Sequence, residues 1–225
     1  MDRSGGDRRR DGPDADAAAG IGDPAADTSD TALIVKDVLL VVAVVGVVGA
    51  SLFGVSGVWP PLVAVESPSM EPNVATGDLV FIVDTDRFVD EEAIGGTGVV
   101  PLENGEETDH ESFGEAGDVI VFKPDGNADE TPIIHRTHYW VEEGDNWVDT
   151  HADEAIVGDT TCAEVAACPA PHDGFVTKGD ANDGYDQLEG HGATTTVVAP
   201  EWVTAKASVR VPWLGYVRVG FESLF

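Results

Sequence analysis

The longest apolar stretch in the chain runs from Val38 to Val58, twenty-one residues without a charge, dominated by Val and Leu with interspersed Gly. At ~1.5 Å per residue a helix of that length rises about 30 Å, the thickness of a bilayer's hydrocarbon core. A buried core helix would carry periodic polar positions, whereas here only Ser51 and Ser56 interrupt the run. A cleaved secretory leader is disfavoured by the long hydrophilic stretch before it and by a length beyond an ordinary leader core. Met1 to about Thr31 is Gly, Ala, Asp and Arg with almost no large apolar side chain, a pattern that predicts disorder. The pattern therefore divides the chain into an acidic leader (1–32), an anchor helix (33–58) and an extracytoplasmic β-rich domain (59–225).

Beyond the anchor the pattern shortens. Apolar or alternating runs at Leu79–Val83, Asp118–Phe122, Ile133–Val141, Gly174–Thr177, Thr194–Val198 and Val203–Val211 are separated by Gly, Asp, Asn and Pro clusters, which predicts strands joined by turns. Two polar, acidic, Gly-rich stretches, Asp84–Gly117 and Glu142–Asp173, read as surface loops inserted between strands. The expected fold class is mostly β, with a single transmembrane helix ahead of it. The aromatic runs at Val211–Tyr216 and Phe221–Phe225 are too short to span a bilayer, and packing against the domain is favoured over resting at the membrane interface.

Charge changes the picture of where the protein works. Asp and Glu outnumber Lys and Arg 42 to 12, for a formal net charge of -30. Apolar runs such as Val119–Phe122 exclude a wholly disordered acidic chain, so the carboxylates belong to the surface of a folded protein. Molar salt cuts the Debye length to about 3 Å and suppresses the self-repulsion of such a surface. The composition is that of a halophile's protein, and its sign argues against nucleic acid as a partner. Arg3, Arg8, Arg9, Arg10 and Lys36 precede the uncharged run and the first basic residue after it is Arg87, which predicts a cytoplasmic N-terminus with the rest outside. Cys162 and Cys168 fit no common zinc or redox spacing; a surface disulfide and two unlinked thiols are both compatible with the sequence.

Candidate chemistry begins about ten residues past the anchor, at Ser67-Pro68-Ser69-Met70-Glu71-Pro72. Then follow Gly77-Asp78-Leu79-Val80, Gly117-Asp118-Val119-Ile120-Val121-Phe122, Ile133-Ile134-His135-Arg136 and Thr177-Lys178-Gly179-Asp180-Ala181-Asn182-Asp183. This succession after one N-terminal span resembles the type I signal peptidases of archaea and of the eukaryotic endoplasmic reticulum. The resemblance covers the anchor and most of the outer domain, but neither the leader nor the two acidic stretches. It implies that Ser69 is the nucleophile and His135 the general base. It further implies an aspartate to orient the imidazole, Asp186 being favoured and Asp180 supporting the site. Ser67 would be an oxyanion donor beside the Ser69 N–H, and Met70 belongs to the same substrate-binding set. It implies secretory preproteins as substrates, with small residues at the first and third positions before the cut, and leaves association with the secretion translocon open.

The chemistry independently asks for these residue types. A serine hydroxyl needs a base to take its proton, histidine titrates in the right range, and a carboxylate on the far ring nitrogen fixes the tautomer. Such a reaction calls for no metal or organic cofactor. The rival base is His138, which on a regular strand faces away from His135. Two positions depart from the family pattern: Pro68 stands where Gly is common, and Ala181 replaces the first Asn of Gly-Asp-Asn-Asn. Gly77 and Gly179 read as turn residues. The alternatives are a processing protease for other surface proteins, and a non-catalytic membrane-anchored envelope or binding protein.

Overall fold

A computed structural model describes residues 24–189 and 195–215, with 24–30 described by backbone alone. Two compact units follow one another, the first up to Val47 and the second from Val48 onward. Helix α1, Pro24–Ser56, begins inside the stretch expected to be leader and carries a 26-residue segment, Thr31–Ser56, long and apolar enough to cross a membrane. Its described side chains are exposed almost throughout. That exposure suits lipid and would be costly in water.

The end of α1 is fully tied off. A helix leaves its last four carbonyls without intrahelical partners. Here Gly57 N–H donates to the Phe53 carbonyl (2.8 Å) and Asp84 N–H to that of Ser56 (2.8 Å). Arg87 Nη1 donates to the Gly54 and Val55 carbonyls at 2.7 and 3.1 Å. Gly57 has φ +80°, and a Cβ there would come within 2.6 Å of Arg87 Nε. Glycine at this helix end therefore supplies both the left-handed turn and room for the guanidinium.

The second unit is built on a six-stranded, wholly antiparallel sheet: β1 (Leu62–Ala64), β2 (Leu79–Val83), β5 (Val119–Phe122), β6 (Ile133–Val141), β7 (Gly174–Lys178) and β8 (Val203–Val211), in spatial order β1-β2-β8-β5-β6-β7. A two-stranded hairpin, β3 (Glu111–Ser112) with β4 (Glu115–Ala116), stands apart. Strand β1, too short to announce itself in the pattern, was not expected. Of the predicted run Thr194–Val198, Thr194 lies outside the described residues, and the rest contributes only a bridge from Val198 to Phe175.

The expectation of a mostly β protein gives way to a mixed α and β one, because both acidic stretches fold rather than loop out. The first contains helix α2 (Leu102–Thr108) and is organised around two buried charges. Asp118 accepts from Val100 N–H (2.9 Å) and meets His110 Nε2 (3.0 Å), while Lys206 Nζ donates to the Gly98 carbonyl (2.6 Å). The second contains α3 (Trp147–Thr150) and α4 (Glu154–Val157), and it supplies a core of its own. Trp147, Val148, Val157, Val165 and Ala167 pack with Tyr139, Val176 and Tyr185. Cys162 and Cys168 are joined as a disulfide in this segment. The expected packing of the C-terminal aromatics also fails where described: Trp213 is 78 % and Leu214 49 % exposed. Only their backbone docks, through Trp213 N–H to Asp78 Oδ1 and Gly215 N–H to the Gly77 carbonyl. Tyr216–Phe225 and Met1–Asp23 lie outside the described residues.

Candidate active site

Ser69 sits on a tight turn between β1 and β2 whose every flank is fixed. Glu71 N–H donates to the Pro68 carbonyl (3.0 Å), Val74 N–H to that of Met70 (2.8 Å), and Ala181 N–H to that of Ser69 itself (2.8 Å). Met70 does not line the groove described below. It is fully buried among Val65, Val74 and Val80, so the expectation that it binds substrate is corrected to that of an apolar pin holding the turn. Pro68 is exposed and contributes only its carbonyl to this turn, so the donor that proline lacks is not used there. Ser69 Oγ lies 3.0 Å from Ser67 Oγ.

His135 comes from β6, opposite Ile120 of β5. Its Nδ1 meets Asp186 Oδ2 at 2.6 Å, both side chains being almost wholly buried. The same oxygen accepts from Thr177 Oγ1 (2.7 Å), and Asp186 N–H donates to the Thr177 carbonyl (2.9 Å). Gln187 Oε1 in turn accepts from Thr177 N–H (3.1 Å). The carboxylate is thereby locked by the strand next to the histidine. With Nδ1 occupied, Nε2 is left for the side of Gly179 and Ser69. A Cβ on Gly179 would lie 2.6 Å from the Ser69 carbonyl and 2.9 Å from His135 Nε2. The close approach of two chain segments and an imidazole, rather than a turn, is what demands glycine there.

Asp180 has a different partner. Its carboxylate takes a bidentate pair of bonds from Arg136, Nε to Oδ1 (2.9 Å) and Nη2 to Oδ2 (2.8 Å). Asn73 Nδ2 also donates to Oδ2 (2.9 Å). Arg136 is buried, and its Nη1 gathers the carbonyls of Ser112, Glu115, Ala116 and Gly117. Of the two candidate acids, Asp186 orients the histidine, and Asp180 ties β6 to the Ser69 turn through Asn73. Ala181 acts through its backbone N–H, which any residue but proline leaves in place.

His138 stands where the β6–β7 register shifts, between Thr137 and Tyr139. It packs edge-on against Tyr185, with ring centroids 5.3 Å apart, and does not line the groove. Burial, reinforced by the cations of Lys178 and Arg136, pushes its pKa down to about 4, so it is neutral at physiological pH.

Ser67, Ser69 and His135 line one groove of about 660 Å³, together with Val63, Ala64, Val65, Val121, Ile133, Ile134 and Asn182. Strands β2 and β8 stand between β1 and β5 in the sheet, so the sheet curls to bring β1 and β5–β6 to the same groove. Its walls are mostly apolar, with a few polar side chains, Ser67, Ser69, His135 and Asn182 among them, the make-up of a ligand site. Thr177, Gly179, Asn73 and Arg136 were not singled out by the sequence as functional; only the adjacency of Arg136 to His135 hinted at one of them. No protein-family model matches this chain, and no curated protein matches it in sequence.

Proposed function

We propose that this chain is a membrane-anchored serine endopeptidase that removes signal peptides from secretory preproteins, as the resemblance to the archaeal and reticulum type I signal peptidases implies. The observation that carries the proposal is the buried Asp186–His135 pair opening onto the groove that holds Ser69. In this mechanism Ser69 Oγ attacks the scissile carbonyl carbon while His135 Nε2 takes the hydroxyl proton. Asp186 holds the tautomer and stabilises the imidazolium that results. The developing oxyanion is met by the Ser69 N–H, which has no acceptor among the described residues, and by Ser67 Oγ. His135 then hands its proton to the departing amine, and water completes hydrolysis by the same route in reverse.

The groove suits an extended chain. Strand β1 is an edge strand, pairing with β2 alone, and its Val63 and Ala64 already line the groove. A precursor segment laid beside it would be held by main-chain bonds, leaving small side chains to be accepted or refused by the apolar walls. The Cys162–Cys168 bond and the basic residues ahead of α1 support an extracytoplasmic domain with a cytoplasmic N-terminus. The test is processing of a labelled halophilic preprotein at high salt, by membranes lacking any other such activity and carrying the wild type, Ser69→Ala or His135→Ala. Cleavage by the wild type alone supports the proposal. Cleavage that persists in Ser69→Ala removes the nucleophile, and a wild type inert on a panel of precursors favours a binding protein.

A further inference from the structure

The loop that follows β2 carries a second built feature, at the end of α1 and outside the groove. Phe88 is 69 % and Val89 52 % exposed, and Phe88 holds φ at 51°, a left-handed conformation that costs a bulky residue energy. Such a residue, turned outward by a strained backbone, would lose on both counts in water. Trp59, three residues beyond the helix, is 74 % exposed and stacks edge-on against Phe53 at 6.3 Å. The position of the loop is not left to chance. Arg87, immediately before Phe88, clamps the last carbonyls of α1. Lys206 Nζ donates to the Phe88 carbonyl at 3.4 Å, and Asp90 lies 3.2 Å from His110.

We propose that Phe88, Val89 and Trp59 form an apolar foot that enters the lipid interface around the end of α1, and that the Arg87 clamp sets its depth. Lipid is the occupant because the exposed apolar surface of the helix reaches its last turn at Phe53 and Val55, Phe53 stacks with Trp59, and Arg87, next to Phe88, bonds the carbonyls of that same turn. The uncharged run Val38–Val58 rises about 30 Å, the thickness of the hydrocarbon core, so Trp59 and the residues just past the helix fall in the interfacial zone. Trp at this depth is the usual aromatic anchor, and an arginine fork on the helix-end carbonyls satisfies groups that lipid cannot. The flanking Asp86, Asp90 and Glu91 stay in water, where molar salt screens them from anionic headgroups. A foot of this kind fixes the height of the second unit above the bilayer.

The test needs no proteolysis. The native cysteines are paired, so a nitroxide on Phe88→Cys, in the full chain in phosphatidylglycerol nanodiscs at molar KCl, reports one position. Exposed Asp159→Cys, on the second acidic stretch, is the aqueous control. Relative to that control, the label at 88 is expected to collide severalfold more with dissolved oxygen than with a water-soluble nickel chelate. Adding Arg87→Ala should raise nickel access at 88 severalfold while α1 stays inserted. Nickel access at 88 equal to that at 159 overturns the proposal. Exclusion of both reagents with dipolar broadening also overturns it, by assigning the patch to a second copy of the chain. Val89→Cys serves as the same probe should Phe88→Cys not fold.

Discussion

At the scale of single residues, the two aspartates six apart that sequence alone could not separate do different work, and their variants should fail differently. Asp186→Asn keeps shape but presents the wrong hydrogen-bonding face to His135 Nδ1, and kcat is expected to fall about ten-thousandfold with thermal stability little changed. Asp180→Asn leaves Arg136 buried without its counter-charge, a loss of about 3–5 kcal/mol that melting curves register first. Gly179→Ala should fold yet lose at least about a hundredfold in rate, because the methyl must push the Ser69 carbonyl or the imidazole aside. His138 supplies a pH signature separate from catalysis. Its folded pKa of about 4 lies below the ordinary 6.5, so the unfolded chain binds a proton in that window and the folded one does not. Stability is full above about pH 6.5 and is lost as pH falls toward about 4, so denaturation midpoints measured between these limits should slope less in His138→Gln. Ser69, His135 and Asp186 were legible because each is a chemically distinctive residue at a motif position. Thr177, Gly179 and Asn73 were not, because a hydroxyl, a missing side chain and an amide acquire their roles only from what folds against them.

At the scale of elements, the apolar and alternating runs located β2, β6 and β8 to the residue, because Gly, Asp, Asn and Pro clusters bound them, although each strand carries a register shift that breaks the period of two. Strand β1 escaped notice because three residues carry no readable period, although it forms one wall of the groove. The acidic stretch Glu142–Asp173 misled for a different reason. Its apolar residues come in runs of only two to four, Trp147-Val148, Ala155–Val157 and Val165–Cys168, too short to show a period among the carboxylates, and their convergence on Tyr139 and Tyr185 is purely tertiary. Trp147→Ala is therefore expected to cost about 3–5 kcal/mol by chemical denaturation, as a core tryptophan does, whereas the same change in a surface loop would cost almost nothing.

At the scale of the whole molecule, composition spoke about surroundings and said little about fold. A net charge of -30 predicts that thermal stability rises steadily from decimolar to molar KCl; a flat response would mean that the carboxylates are already neutralised in pairs. The chain carries both a helix long and apolar enough to cross a membrane and a groove with a buried Asp–His pair; under the proposed function that tether would confine the chemistry to the neighbourhood of a bilayer, which suits substrates that are themselves membrane-held. The central claim is that His135 activates the group at position 69. Its most direct test requires no knowledge of the substrate: the pH dependence of iodoacetamide alkylation of Ser69→Cys, the only free thiol once Cys162 and Cys168 are paired. The account predicts a thiol ionising well below the ordinary ~8.5, and a return to that value in Ser69→Cys/His135→Ala. An ordinary thiol titration indifferent to His135 would contradict it.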